Sequence, residues 1–134
     1  PKQEVDAQAI FNLCKLETQN HIYLNLFGKS LREFLALTAH CHALIGNEGG
    51  AINMAKALNI KTFTIFSPWI DKDTWNIFEE KCVNESVHLK DYKPELYSKN
   101  TEKDMKPQAM ELYRKFTPDL FYDKLNRFLK MFRS

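Results

Sequence analysis

Asn47-Glu48-Gly49-Gly50 places a carboxamide, a carboxylate and two adjacent glycines between an apolar run and a helix of small residues that starts at Ala51. The chemistry this pattern invites is phosphate binding. A helix N-terminus presents backbone N–H groups without intrahelical partners, together with the positive end of the helix dipole. Glycine lets the backbone approach a ligand closely and adopt positive φ. Glu48 and, within the helix, Asn53 carry groups that could hydrogen-bond the sugar or nucleoside attached to such a phosphate, although a carboxylate set too close would repel the phosphate itself. The plain alternative is a tight turn in which Glu48 caps the helix.

Other residues invite chemistry less strongly. His40-Cys41-His42 would point two imidazoles the same way in extended chain, but a metal site needs three or four ligands. The end of a helix followed by the start of a strand accounts for this triplet, so no metal is expected. Asp71 and Asp73, between Trp69 and Trp75, could form a carboxylate pair on an aromatic sugar platform. The simpler reading is a loop in which Asp73 caps a short helix around Trp75. Lys124, Arg127, Lys130 and Arg133 could meet an anionic membrane surface, or form the solvated face of a helix whose other side is buried. No spacing supports a Ser-His-Asp or Cys-His arrangement.

The elements that must position the glycine turn follow from periodicity. Val5, Ala9, Leu13 and Leu16, with Ile10 alongside, predict a helix over about residues 3–18. Residues 22–27 read as a short strand ended by Gly28. Ser30 and Glu33 form a capping box, opening a helix that turns Leu31, Phe34, Leu35 and Thr38 inward and ends near His40. Residues 42–45 read as a second strand, 51–58 as a helix and 62–66 as a third strand. This alternation implies right-handed crossovers and a parallel sheet, half of a doubly wound α/β domain. In such sheets ligands bind beyond the carboxyl ends of the strands, where the glycine turn falls. After Pro68 the pattern changes: a loop and short helix over 69–80, a brief edge strand over 86–89, and an irregular polar stretch over 91–104. A helix over about 107–115 follows. Thr117-Pro118 then supplies an N-cap and N1 proline for a last helix with the buried stripe Phe121, Leu125, Phe128, Leu129 and Phe132.

At 134 residues the chain is long enough for one domain with a substantial core. Lys and Arg number 19 against 17 Asp and Glu, so charge offers no case for nucleic acid. No apolar run approaches the roughly 20 residues of a membrane span, and Lys2, Glu4 and Asp6 interrupt any signal-peptide core. Cys14, Cys41 and Cys82 are odd in number and widely spaced, which fits reduced thiols in a cytoplasmic protein.

From Leu31 to Pro68 the chain resembles the family 9 glycosyltransferases, the group that contains the lipopolysaccharide heptosyltransferases. The family's "G-K-[ST]-x-L" helix start stands here as Gly28-Lys29-Ser30-Leu31-Arg32, and its "A-x-x-x-[VI]-[GS]" strand as the shortened Ala43-Leu44-Ile45-Gly46. Its hallmark, "N-D-[ST]-G-x-x-H-x-A-x-A-L-G-x-P" leading to "F-G-P", is met by Asn47-Glu48-Gly49-Gly50-Ala51-Ile52-Asn53-Met54-Ala55-Lys56-Ala57-Leu58-Asn59-Ile60-Lys61, then Phe66-Ser67-Pro68. Glu48, Gly49 and Asn53 stand where the family has Asp, Ser or Thr, and His; Asn59, Lys61 and Ser67 replace Gly, Pro and Gly. At position 49 this chain lacks the family's hydroxyl, which a serine would restore.

The resemblance implies a Rossmann-like portion of the C-terminal domain of a two-domain GT-B glycosyltransferase, followed by C-terminal helices. On this reading residues 1–134 are one partial donor-binding domain. Residues 1–68 carry βα units and the donor loop, and 69–134 a loop and the helices. The implied reaction moves a sugar, heptose being one candidate, from a nucleotide diphosphate sugar to a lipopolysaccharide-type saccharide. Asn47, Glu48, Gly49, Gly50, Ala51 and Asn53 would bind the donor. The catalytic base belongs to an N-terminal domain and is assigned to no residue here, so this chain alone is expected to transfer no sugar. No cofactor is implied, and the implied setting is the cytoplasm, with at most peripheral contact at the inner face of the inner membrane. A homo-oligomer is expected from uncovered strand edges. A non-catalytic α/β nucleotide-binding module and a sugar-nucleotide enzyme such as an epimerase are the alternatives.

Overall fold

The computed structural model describes residues 3–132, whose contacts gather into two compact units divided between Leu37 and Thr38. In the first unit the helix expected over 3–18 is broken in two, α1 (Glu4–Leu13) and α2 (Leu16–Gln19). Cys14 is extended at the break. The Gln19 amide donates to the carbonyls of Phe11 (2.9 Å) and Cys14 (3.1 Å), satisfying acceptors that a continuing helix would have used. Val5, Ile10, Leu13 and Leu16 form no buried stripe; each is largely exposed.

The strand expected over 22–27 does not form. Its backbone turns instead, the Leu26 N–H donating to the Tyr23 carbonyl at 3.2 Å. An apolar run without a ladder partner has no means of pairing its backbone as a strand. Half of the capping box forms at the start of α3 (Leu31–Ala39): the Glu33 N–H donates to Ser30 Oγ (3.2 Å), while the Glu33 carboxylate accepts from the N–H of Lys29 (2.8 Å), one residue before Ser30. Leu31 is exposed rather than turned inward. Gly28 is there for a steric reason. A Cβ on it would lie 2.3 Å from the Phe34 backbone nitrogen and 2.6 Å from its Cα.

The second unit is α/β. Strands β1 (Ala43–Asn47), β2 (Lys61–Ile65) and β3 (Asn84–Val87) form an open sheet in the order β1-β2-β3, both pairs parallel. Helix α4 (Gly50–Ala57) connects the first two strands and packs on both, burying Ile52 and Ala55. Helix α5 (Lys72–Trp75) lies in the second connection. Phe63 and Val87 form one core with Phe121 and Phe128, and Leu125, Leu129 and Phe132 of the expected C-terminal stripe pack against it.

The stretch over 91–104 is more ordered than expected. α6 (Leu89–Tyr92), a 3-10 turn at Pro94–Tyr97 and another at Lys103–Gln108 are held by a second core of Leu89, Tyr97, Met105 and Leu112. Helix α7 (Ala109–Lys115) follows. Thr117 makes no side-chain cap, and Pro118 opens a 3-10 turn; α8 starts only at Tyr122 and runs to Lys130 (Tyr122–Lys130).

Among the described residues β1 pairs on one side only, and the outer side of β3 meets only an isolated antiparallel bridge between Asn84 and Glu80. Unpaired edges favour association, so a dimer or larger species is expected by light scattering. A monomer mass held across a wide concentration range would count against it.

Candidate functional site

Strand β1 ends at Asn47 and α4 begins at Gly50, so the turn sits at the carboxyl end of the sheet, as the sequence implies. Gly49 has φ +141° and ψ −165°, a region that only glycine occupies without strain. Crowding is not the reason for either glycine. A Cβ at Gly49 would meet no atom within 4 Å, and one at Gly50 would meet only Met54 Cε, at 4.0 Å. The Asn53 N–H donates to the Gly49 carbonyl at 3.2 Å, which leaves the N–H groups of Gly50, Ala51 and Ile52 without intrahelical acceptors. No side chain caps this end.

Glu48 therefore does not cap α4. Its carboxylate reaches the end of β2, accepting from the Ser67 N–H (2.9 Å) and the Ser67 hydroxyl (2.7 Å). The Tyr113 hydroxyl, on α7, donates to the same Ser67 oxygen at 2.9 Å. Glu48 and Ser67 are two of the positions where the chain departs from the pattern it resembles, and they are bonded to each other. The other candidates, Asn47, Gly50, Ala51 and Asn53, are exposed around the turn.

The corner at Ser67-Pro68 gathers more partners. Tyr97 donates its hydroxyl to the Pro68 carbonyl at 2.6 Å. His88, at the end of β3, is buried and caps α6: its Nδ1 accepts from the Lys90 N–H (3.0 Å) and its own N–H donates to Asp91 (2.9 Å). Its Nε2 lies buried beside the Ser67 backbone without reaching a hydrogen bond. Burial lowers the His88 pKa, against the opposing charges of Asp91 and Glu102.

The folded state thus binds the His88 proton less readily than the unfolded chain. Stability is complete above the ordinary histidine range, near 6.5, and falls as pH drops from there through the lowered folded value. Asparagine at this position keeps a capping acceptor but does not titrate. Urea denaturation between pH 7 and pH 5 should therefore show a steeper loss for the parent than for His88→Asn. The difference is bounded by about 1.4 kcal/mol per pH unit for one proton. Equal slopes would refute it.

A cleft of about 520 Å³ runs along α4 towards the amino ends of β2 and β3, bordered by Lys56, Asn59, Phe78 and Asn84. Of the six candidate residues only Asn53 reaches it, so the turn and this cleft are separate features. Asp71, not Asp73, caps α5: it accepts from the Asp73 N–H and the Thr74 hydroxyl, and the Thr74 bond is the main cause holding its pKa below the ordinary value. Lys124 does not belong to a solvated basic face, since its ammonium donates to the Ser86 carbonyl at 2.7 Å. Arg133 lies outside the described residues. Among the described residues no group of three His, Cys, Asp or Glu side chains converges as a metal site, and no helix is long and apolar enough to cross a membrane.

The sequence marks Ser67 only as a departure and does not single out Tyr113 or Tyr97. Ser67-Pro68 at a strand end was a usable signal, whereas nothing in the spacing marks Tyr113. Compared with family models, curated proteins and solved structures, the chain matches none of them.

Proposed function

We propose that this chain is the donor-binding portion of a glycosyltransferase that uses a nucleotide diphosphate sugar, related in design to the GT-B enzymes of family 9. The observation that carries the reading is the Gly49-Gly50 turn: positive φ, open space around both glycines, and unpartnered helix N–H groups at the carboxyl end of a parallel strand. The ungapped register with the family pattern over residues 47–61 adds to it. In this reading the N–H groups of Gly50 and Ala51, with the α4 dipole, hold the diphosphate and stabilise it as the leaving group. Asn47 and Asn53 hydrogen-bond the nucleoside or sugar. The acceptor would be a saccharide of the lipopolysaccharide type, bound by a partner domain that also brings the base.

One observation favours a second reading, an α/β module that binds a nucleotide without chemistry. Glu48, the acid nearest the turn, is engaged by Ser67 and is not free to act on a substrate. Calorimetric titration with nucleoside diphosphates tests the shared premise: saturable binding, displaced by a nucleotide sugar, is expected. No heat at millimolar ligand would overturn both readings. Sugar transfer after the chain is joined to an acceptor-binding domain separates them.

A further inference from the structure

We infer that Tyr113 is a positioning residue for the glycine turn, acting through Ser67 and Glu48; the inference rests on the donor-binding reading above. The three groups form a directed chain. A tyrosine hydroxyl donates to the serine oxygen, and the serine hydroxyl, with one proton to give, donates to the carboxylate. The Ser67 backbone N–H donates to the other carboxylate oxygen, so Glu48 is held at both oxygens. Bonds ending on a charge are the stronger kind, and each link polarises the next. Ser67 is only 8% exposed, which shields the chain from water at its centre. At its outer end, Leu112 is 2% exposed in the second core and fixes the part of α7 that carries Tyr113.

What this chain holds is the residue next to Gly49. Two successive glycines have wide conformational freedom, and φ +141° is one choice among several. Anchoring Glu48 to the end of β2 limits that choice and raises the fraction of molecules whose turn is set to receive a diphosphate. Apparent affinity scales with that fraction. The same bonds keep the carboxylate turned to Ser67, which answers how an acid can stand beside a phosphate site.

The test uses adenosine diphosphate as probe, with the parent, Tyr113→Phe, Ser67→Ala and the double variant. Tyr113→Phe removes one oxygen and should weaken binding about threefold to tenfold, Ser67→Ala about tenfold or more. Because Tyr113 acts through Ser67, the double variant should bind like Ser67→Ala alone. Amide hydrogen exchange at Asn53, whose N–H is held by the Gly49 carbonyl, should quicken in each variant without ligand, a change that a merely structural loss elsewhere would not confine to the turn. Unchanged exchange there in Tyr113→Phe, or multiplying effects in the double variant, overturns the inference. If the parent binds no diphosphate while exchange at the turn still quickens, the positioning role stands and the donor reading falls.

Discussion

Gly50→Val will lose at least tenfold in nucleoside diphosphate affinity while the protein stays folded. Gly50 is the first residue of α4, its φ is ordinary, and a Cβ there would meet only the end of Met54, at 4.0 Å. The exposed start of α4 therefore accepts a side chain, and what the branched valine obstructs is the approach of a ligand to the helix N–H groups. Tenfold corresponds to about 1.4 kcal/mol, a small part of the binding energy of a micromolar ligand. Calorimetry of the variant beside its thermal unfolding checks both halves. Parent-like affinity would mean that the turn is only a turn.

The neighbouring position behaves differently. The family resemblance implies that Gly49→Ser should strengthen binding by restoring a hydroxyl, a charge-assisted bond worth about 1.5–3 kcal/mol. At φ +141° a serine costs about 1–3 kcal/mol in backbone strain, so the gain is offset and stability falls.

Phe128→Ala will produce the largest loss of stability. Its ring is fully buried, 5.5 Å from Phe63 and 5.4 Å from Phe132 by ring centroids, at the middle of the core that joins α8 to the sheet. Truncating a buried phenylalanine costs about 3–5 kcal/mol in transfer and cavity terms. A protein of this size has about 5–15 kcal/mol in all. Urea denaturation should show a midpoint moved well below that of the parent, and a shift under 1 kcal/mol would contradict this packing.

The α/β alternation over residues 42–66 was legible because each element carries its own signal: β-branched and apolar strands, a small-residue helix, and glycines at the turn. The C-terminal stripe was legible for the same reason, since Phe121, Leu125, Phe128, Leu129 and Phe132 repeat at helical spacing. Residues 22–27 were misread because an apolar run states a wish for burial without naming a partner. The polar stretch over 91–104 was misread in the opposite direction. Its order comes from Leu89, Tyr97 and Met105 meeting Leu112, contacts across sequence that periodicity does not encode. At the site, the position of the turn was legible and the engagement of Glu48 was not. That engagement depends on Ser67 and on a tyrosine from α7, brought together only by the folded sheet.

The order in which the core is completed has a consequence for synthesis. Each strand pairs with its successor, so the sheet can assemble as the chain emerges from the ribosome. The face bearing Phe63 and Val87, however, is closed by Phe121 and Phe128, which are made after all three strands. Until then a half-built sheet carries an uncovered aromatic face, the kind of surface that chaperones hold and that aggregates when they do not. Synonymous changes that slow translation between β3 and α8 would lengthen that exposure, and yield of soluble protein would fall although the amino-acid sequence is unchanged.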